Sequence, residues 1–119
     1  MTPLSQRERQ LWLDNAHGYE ANVWSYQHAV LAGLLRFPQH VSKCRKHWFA
    51  TDAEHARLFE AIKACGEVKR LGEHLTGKDL ERARFKYTLD VGEEDLMGYI
   101  RNLESCVRAY AYNVSRGWV

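Results

Sequence analysis

Six apolar residues near the C-terminus constrain this chain more than any other feature. Leu96, Ile100, Leu103, Val107, Tyr110 and Val114 follow one another at intervals of 4, 3, 4, 3 and 4 residues. That is the a/d spacing of a helix lying along another helix. A helix over about 93–115 is roughly 33 Å long at 1.5 Å per residue. A chain of 119 residues makes one domain of modest size, so part of such a helix overhangs the core. An overhanging apolar stripe needs a partner, in the same chain or in another copy, and a homodimer is the expected outcome. Glu93 and Glu94 fall in the first turn, where negative charge meets the positive end of the helix dipole. That accounts for the paired carboxylates without any acid–base role.

The rest of the chain reads as helical too. Leu and Ala occur 13 and 12 times, Val and Ile only 8 and 2 times. Unbranched and small side chains favour helices, and β-branched ones favour strands. Ser5-x-x-Glu8 reads as a capping box that opens a helix over 5–17, with Leu11 and Trp12 on its apolar face and Gly18 at its end. A second helix is expected over about 20–36, carrying Val23, Tyr26, Val30, Leu31, Leu34 and Leu35 at helical spacing. Gly33 inside it either permits close packing or costs stability, and Pro38 stops it. A short helix over 39–48 would place Val41, Cys44 and Trp48 on one side. Thr51-x-x-Glu54 reads as a second capping box, for a helix that buries Ala53, Leu58, Phe59 and Ile62 and ends at Gly66. Thr76 is positioned to cap a further helix with Asp79 three residues on and Leu80 and Ala83 inside. The chain turns at Asp90-Val91-Gly92. The expected fold is therefore all-α, a small bundle of about five to six helices in one domain. Residues 1–24 form an N-terminal extension helix, 25–90 the bundle and 93–115 the long C-terminal helix.

Several functional classes drop out. No apolar run reaches the ~20 residues that span a bilayer, and the polar N-terminus lacks the apolar core of a secretory signal. Cys44, Cys65 and Cys106 are odd in number and widely spaced, which suits reduced thiols in a cytoplasmic protein. Neither a G-x-x-x-x-G-K-[ST] loop nor a G-x-S-x-G elbow occurs. The expectation is a protein without catalytic residues or cofactors. His40, Cys44 and His47 have spacing that would align them on one helix face as zinc ligands, with Cys65 or His55 as a fourth. Cys44 equally fits the apolar side with Val41 and Trp48, and a buried thiol beside surface histidines is the simpler reading.

Charge is unevenly spread. Residues 36–86 carry twelve basic and seven acidic side chains, while the whole chain has a net charge of only +2. Arg36, Lys43, Arg45 and Lys46, with Phe37 and Trp48 close by, are candidate nucleic-acid contacts, since cations neutralise phosphates and aromatic rings stack on unpaired bases. With so little net charge, such binding is expected to be weak or absent and to vanish with salt.

The order of short motifs resembles a known family. Ala29-Val30-Leu31-Ala32-Gly33-Leu34-Leu35, Pro38, Trp48-Phe49, His55-x-x-Leu58-Phe59-x-x-Ile62 and Tyr99-Ile100-x-x-Leu103 follow one another as in the N-terminal domain of DnaB-type replicative helicases. Ala109 and Asn113 extend the likeness, which covers about residues 25–115. The family's Pro-hydrophobic-Asp turn is replaced here by Gly66-Glu67-Val68-Lys69-Arg70. The resemblance implies a non-enzymatic helical module of DNA replication, related to the helicase-binding domain of bacterial primase. It would bind a replicative helicase, primase or helicase loader, and pair with a second copy through the long helix. A free-standing copy, with neither linker nor ATPase domain, fits a phage or plasmid replication system. A small nucleic-acid-binding regulator using residues 36–86 is the rival reading.

Overall fold

Helix α1, residues 23–36, is apolar on nearly every side in its second half. Ala29, Val30, Leu31, Ala32 and Leu34 are all buried, so α1 lies at the centre of the molecule, as a helix apolar all round must. The structure is a computed structural model and describes residues 23–115, without the side chains of Val68, Tyr110, Asn113 and Val114. The helix expected over 5–17 and residues 20–22 of the second helix lie outside the described residues. Every described regular element is helical, so the fold is all-α.

Helix α1 ends because Pro38 disfavours helical backbone at the residue before it. Phe37 sits at φ −129°, ψ 65°. The following segment corrects one expectation. In place of a single helix over 39–48, two short 3-10 helices run over Pro38–Lys43 and Lys46–Phe49. Between them Cys44 and Arg45 are extended. The spacing of Val41, Cys44 and Trp48 suits a helix, but the extended backbone at Cys44 and Arg45 interrupts it. The extended pair redirects the chain so that Cys44, Trp48 and Phe49 are all buried.

Helix α2, Ala53–Cys65, buries His55, Leu58, Phe59, Ala61, Ile62 and Cys65. Phe59 stacks on Phe49 with ring centroids 4.5 Å apart. Ala53 is exposed, contrary to expectation, because it lies on the side of the first turn opposite the buried His55. Its N-cap is also Asp52, not Thr51. The Asp52 carboxylate accepts from the His55 amide at 2.9 Å, while Thr51 and Glu54 both bond to other parts of the fold. Gly66, at φ 67°, closes the helix as expected, in the left-handed conformation that glycine adopts without a Cβ clash.

A 3-10 helix over Val68–Glu73 follows, and Leu71 and Leu75 fasten this region to the core. Helix α3 spans Gly77–Phe85. Thr76 occupies its N-cap position without making a side-chain capping bond, and Asp79 pairs with Arg57 at 2.8 Å instead. Ala83 is buried and Leu80 half-buried.

The last helix, α4, runs over Glu93–Ser115, matching the expected long helix. Glu93, Glu94 and Asp95 occupy its first turn. It crosses α1 at Gly33, where a Cβ would stand 2.7 Å from Leu96 Cδ1, 3.2 Å from Leu96 Cβ and 3.1 Å from Val91 Cγ1. Gly33 therefore permits close packing.

This contact yields a prediction of sign. In an exposed helix, Gly→Ala would stabilise by up to about 1 kcal/mol. At Gly33 the added methyl meets a fully buried Leu96, and overpacking of this kind costs about 1–3 kcal/mol. Gly33→Ala is expected to lower the chemical-denaturation midpoint. A raised midpoint would show that α1 and α4 are not in close contact there.

Candidate functional site

The apolar stripe of α4 divides into two parts. Leu96, Ile100 and Leu103 are buried in the chain's own core, Leu103 at 0% exposure. Val107, one turn further on, is half-buried and lines an apolar groove of about 350 Å³. Val23, Trp48 and Ala111 line the same groove, with His47, Thr51 and Ser115 among its residues. The side chains of Tyr110 and Val114 lie outside the description, and Tyr112 on the same end of α4 is exposed. The groove exists because α4 continues for three turns beyond Leu103 while the core beneath it ends at Trp48.

Next to the groove, on the other side of Trp48, is a polar knot that the sequence did not announce. Gln27 is fully buried. Its amide nitrogen donates to the Trp48 carbonyl at 2.7 Å and to Thr51 Oγ at 2.9 Å. Its carbonyl oxygen lies 2.8 Å from His55 Nδ1. With both amide hydrogens engaged, Gln27 Oε1 can only accept, so His55 Nδ1 carries the proton. His55 is also fully buried, and its Nε2 has no hydrogen-bond partner among the described residues.

Aromatic rings surround this pair. Trp24 and His28 stack at 5.4 Å, and His28 and Tyr87 at 4.6 Å. Trp24 Nε1 donates to Asp52 at 3.1 Å. The Tyr87 hydroxyl donates to Glu54 at 2.6 Å, and Arg82 and Lys86 each reach the same carboxylate at 2.8 Å. Burial alone would raise the Glu54 pKa, but hydrogen bonds from Lys86, Tyr87 and Arg82 hold it at about 2. Burial, reinforced by the bond to Glu54, pushes the Tyr87 hydroxyl upward. Burial lowers both histidines, and nearby Lys86 lowers His28 further.

The other candidates disperse. His40 Nε2 contacts Glu93 at 2.9 Å, His47 is exposed beside the groove, and Cys44 lies buried between them, its thiol pushed up to about 12 by burial. The extended backbone at Cys44 removes the single helix face that would have aligned the three. Among the described residues, no group of three or more His, Cys, Asp or Glu is placed to hold a metal ion. The three cysteines are free thiols. Of the basic candidates, Lys43 reaches Met97 Sδ at 3.3 Å, and Arg45 and Lys46 are exposed. Arg36 is paired with Asp90 and lines a different cleft, toward α3. Among the described residues, no helix is long and apolar enough to cross a membrane.

No family model matches the chain, and no curated protein or solved structure matches it.

The histidines give a pH dependence with a definite sign. A histidine whose folded pKa lies below its unfolded value of about 6.5 stabilises the fold fully above that value. That stability is lost as pH falls through 6.5 toward the folded pKa. The urea midpoint is expected to drop between pH 7.5 and 5.5, before Glu54 begins to protonate. A midpoint constant over that range would contradict a neutral buried His55.

Proposed function

We propose that this chain is a non-enzymatic interaction module of DNA replication that binds a replicative helicase, primase or helicase loader. The observation that carries the proposal is the groove at Val107. Among the described residues, nothing fills the apolar groove beside the far end of α4, and a partner helix laid into such a groove would bury it. The motif order of the DnaB-type resemblance supports the replication setting. The aromatic pair Trp48-Phe49, the Leu58-Phe59 segment and the Ile100–Leu103 segment all meet in one core, as the residues of a shared fold would. Free thiols, two of them buried, fit a reducing cytoplasmic setting. On this reading the chain hydrolyses no nucleotide, and neither ATPase nor nuclease activity should follow the protein peak through purification.

The two halves of the stripe separate folding from association. Leu103→Glu would place an unpaired carboxylate in the chain's own core, which costs several kcal/mol, and is expected to abolish the helical circular-dichroism signal. Val107→Glu leaves the core intact and is expected to keep that signal. If the groove is the docking surface, Val107→Glu abolishes capture of a purified helicase, primase or loader from the source organism, and turns any wild-type dimer monomeric in sedimentation. A wild type that stays monomeric at high concentration and captures none of these partners overturns the proposal.

A further inference from the structure

Basic side chains gather on both flanks of α3, away from the Val107 groove. A cleft of about 380 Å³ lies there between α1, the 3-10 helix Val68–Glu73 and α3. Arg36, Lys69 and Arg84 line it, each from a different one of those elements, over an apolar floor that includes Leu35, Leu71 and Ala83. Among the described residues, no carboxylate lines the cleft. Arg36 is held by Asp90 at the rim, and Lys69 is 3.7 Å from an exposed Glu67. Arg84 has no ion-pair partner among the described residues.

On the other flank of α3 is a second groove lined by Lys78, Glu81, Arg82, Phe85 and Lys86. Arg82 and Lys86 share the single carboxylate of Glu54, which leaves an excess positive charge there, and Glu81 offsets part of it. Phe85 lines this second groove and follows Arg84 of the first; at 73% exposure it is the most exposed large apolar side chain among the described residues. A bare aromatic ring is costly in water unless something covers it. Here the ring shares its groove with Lys78, Arg82 and Lys86.

Two cation-lined clefts on one short helix, with an exposed aromatic ring in the second and next in sequence to Arg84 of the first, suit a single strand of nucleic acid. Its phosphates follow the cations, and an unstacked base covers the ring. A duplex has no free base face to offer Phe85. We propose that the end of α3 is a single-stranded nucleic-acid binding site, with Phe85 as the stacking platform and Arg84, Lys69 and Arg36 as phosphate contacts. It goes beyond the helicase-partner reading and uses different residues, so either can fail without the other. The consecutive cations Lys43, Arg45 and Lys46 take no part.

The test is fluorescence anisotropy with labelled dT15 at 50 mM salt, on wild type and on four variants that keep the wild-type circular-dichroism spectrum. The expected result is saturable binding that Phe85→Ala weakens by about fivefold or more and Arg84→Glu by tenfold or more. Arg84→Ala should lower the log–log salt slope by close to one unit. Lys46→Ala should bind as wild type does. A fifteen-base-pair duplex is expected to bind less tightly, and unlabelled dTMP is expected not to compete. The proposal is overturned by no dT15 binding at 100 μM protein, or by Phe85→Ala and Arg84→Glu variants that bind like wild type. Equal preference for duplex, or efficient competition by dTMP, overturns it in favour of plain electrostatic attraction or a free-nucleotide pocket.

Discussion

The carboxamide of Gln27 fastens α1 to three points along one distant stretch of chain, residues 48–55. It anchors α1 to the Trp48 carbonyl, to the Thr51 hydroxyl and to the His55 ring of α2. A buried amide is costly unless its hydrogen bonds are made, and here every polar atom of Gln27 has a partner. Apolar burial around α1 is non-directional and would tolerate small rotations of α2 against α1. The Gln27 network fixes one arrangement. That arrangement in turn sets Trp48 at the edge of the core, and Trp48 forms one wall of the groove under Val107. The position of α4 depends on a second constraint, the bare backbone at Gly33 that admits Leu96.

Two surfaces follow from this core. Helix α4 is longer than the bundle it packs on, so its apolar stripe is consumed by the core as far as Leu103, and among the described residues Val107 is only half-buried. Helix α3 is short and peripheral. Only Ala83 is buried from it, so its remaining side chains are available for charge. The Glu54 carboxylate joins α3 to α2 through Arg82 and Lys86, and through Tyr87 it links this surface to the histidine cluster. The two faces therefore share one rigid core without sharing residues.

Much of the architecture was legible in the residues. The heptad spacing of Leu96 to Leu103, the left-handed close at Gly66 and the stop at Pro38 each follow from one local rule, and the fold obeys them. The errors arose where tertiary bonds competed with local ones. Thr51 and Glu54 have the spacing of a capping box, yet Gln27 takes the hydroxyl, and Arg82, Lys86 and Tyr87 take the carboxylate, so Asp52 caps the helix. Residues 39–48 have helical apolar spacing, but the extended Cys44 and Arg45 divide them into two 3-10 helices. His55 and Gln27 are polar, and nothing in their spacing marks them as the centre of the core. The cleft cations come from three separated segments, so the contiguous Lys43, Arg45 and Lys46 drew notice that Lys69 and Arg84 did not.

A double-mutant cycle between Gln27 and His55 tests the central claim most directly. Unfolding free energies would be measured at pH 7.5 for wild type, Gln27→Ala, His55→Ala and the double variant. Residues bound in one buried network couple by about 0.5–3 kcal/mol. The account predicts that the double variant is more stable than the sum of the single losses by at least about 1 kcal/mol. Losses that add to within about 0.3 kcal/mol would contradict it, since independent sites behave that way.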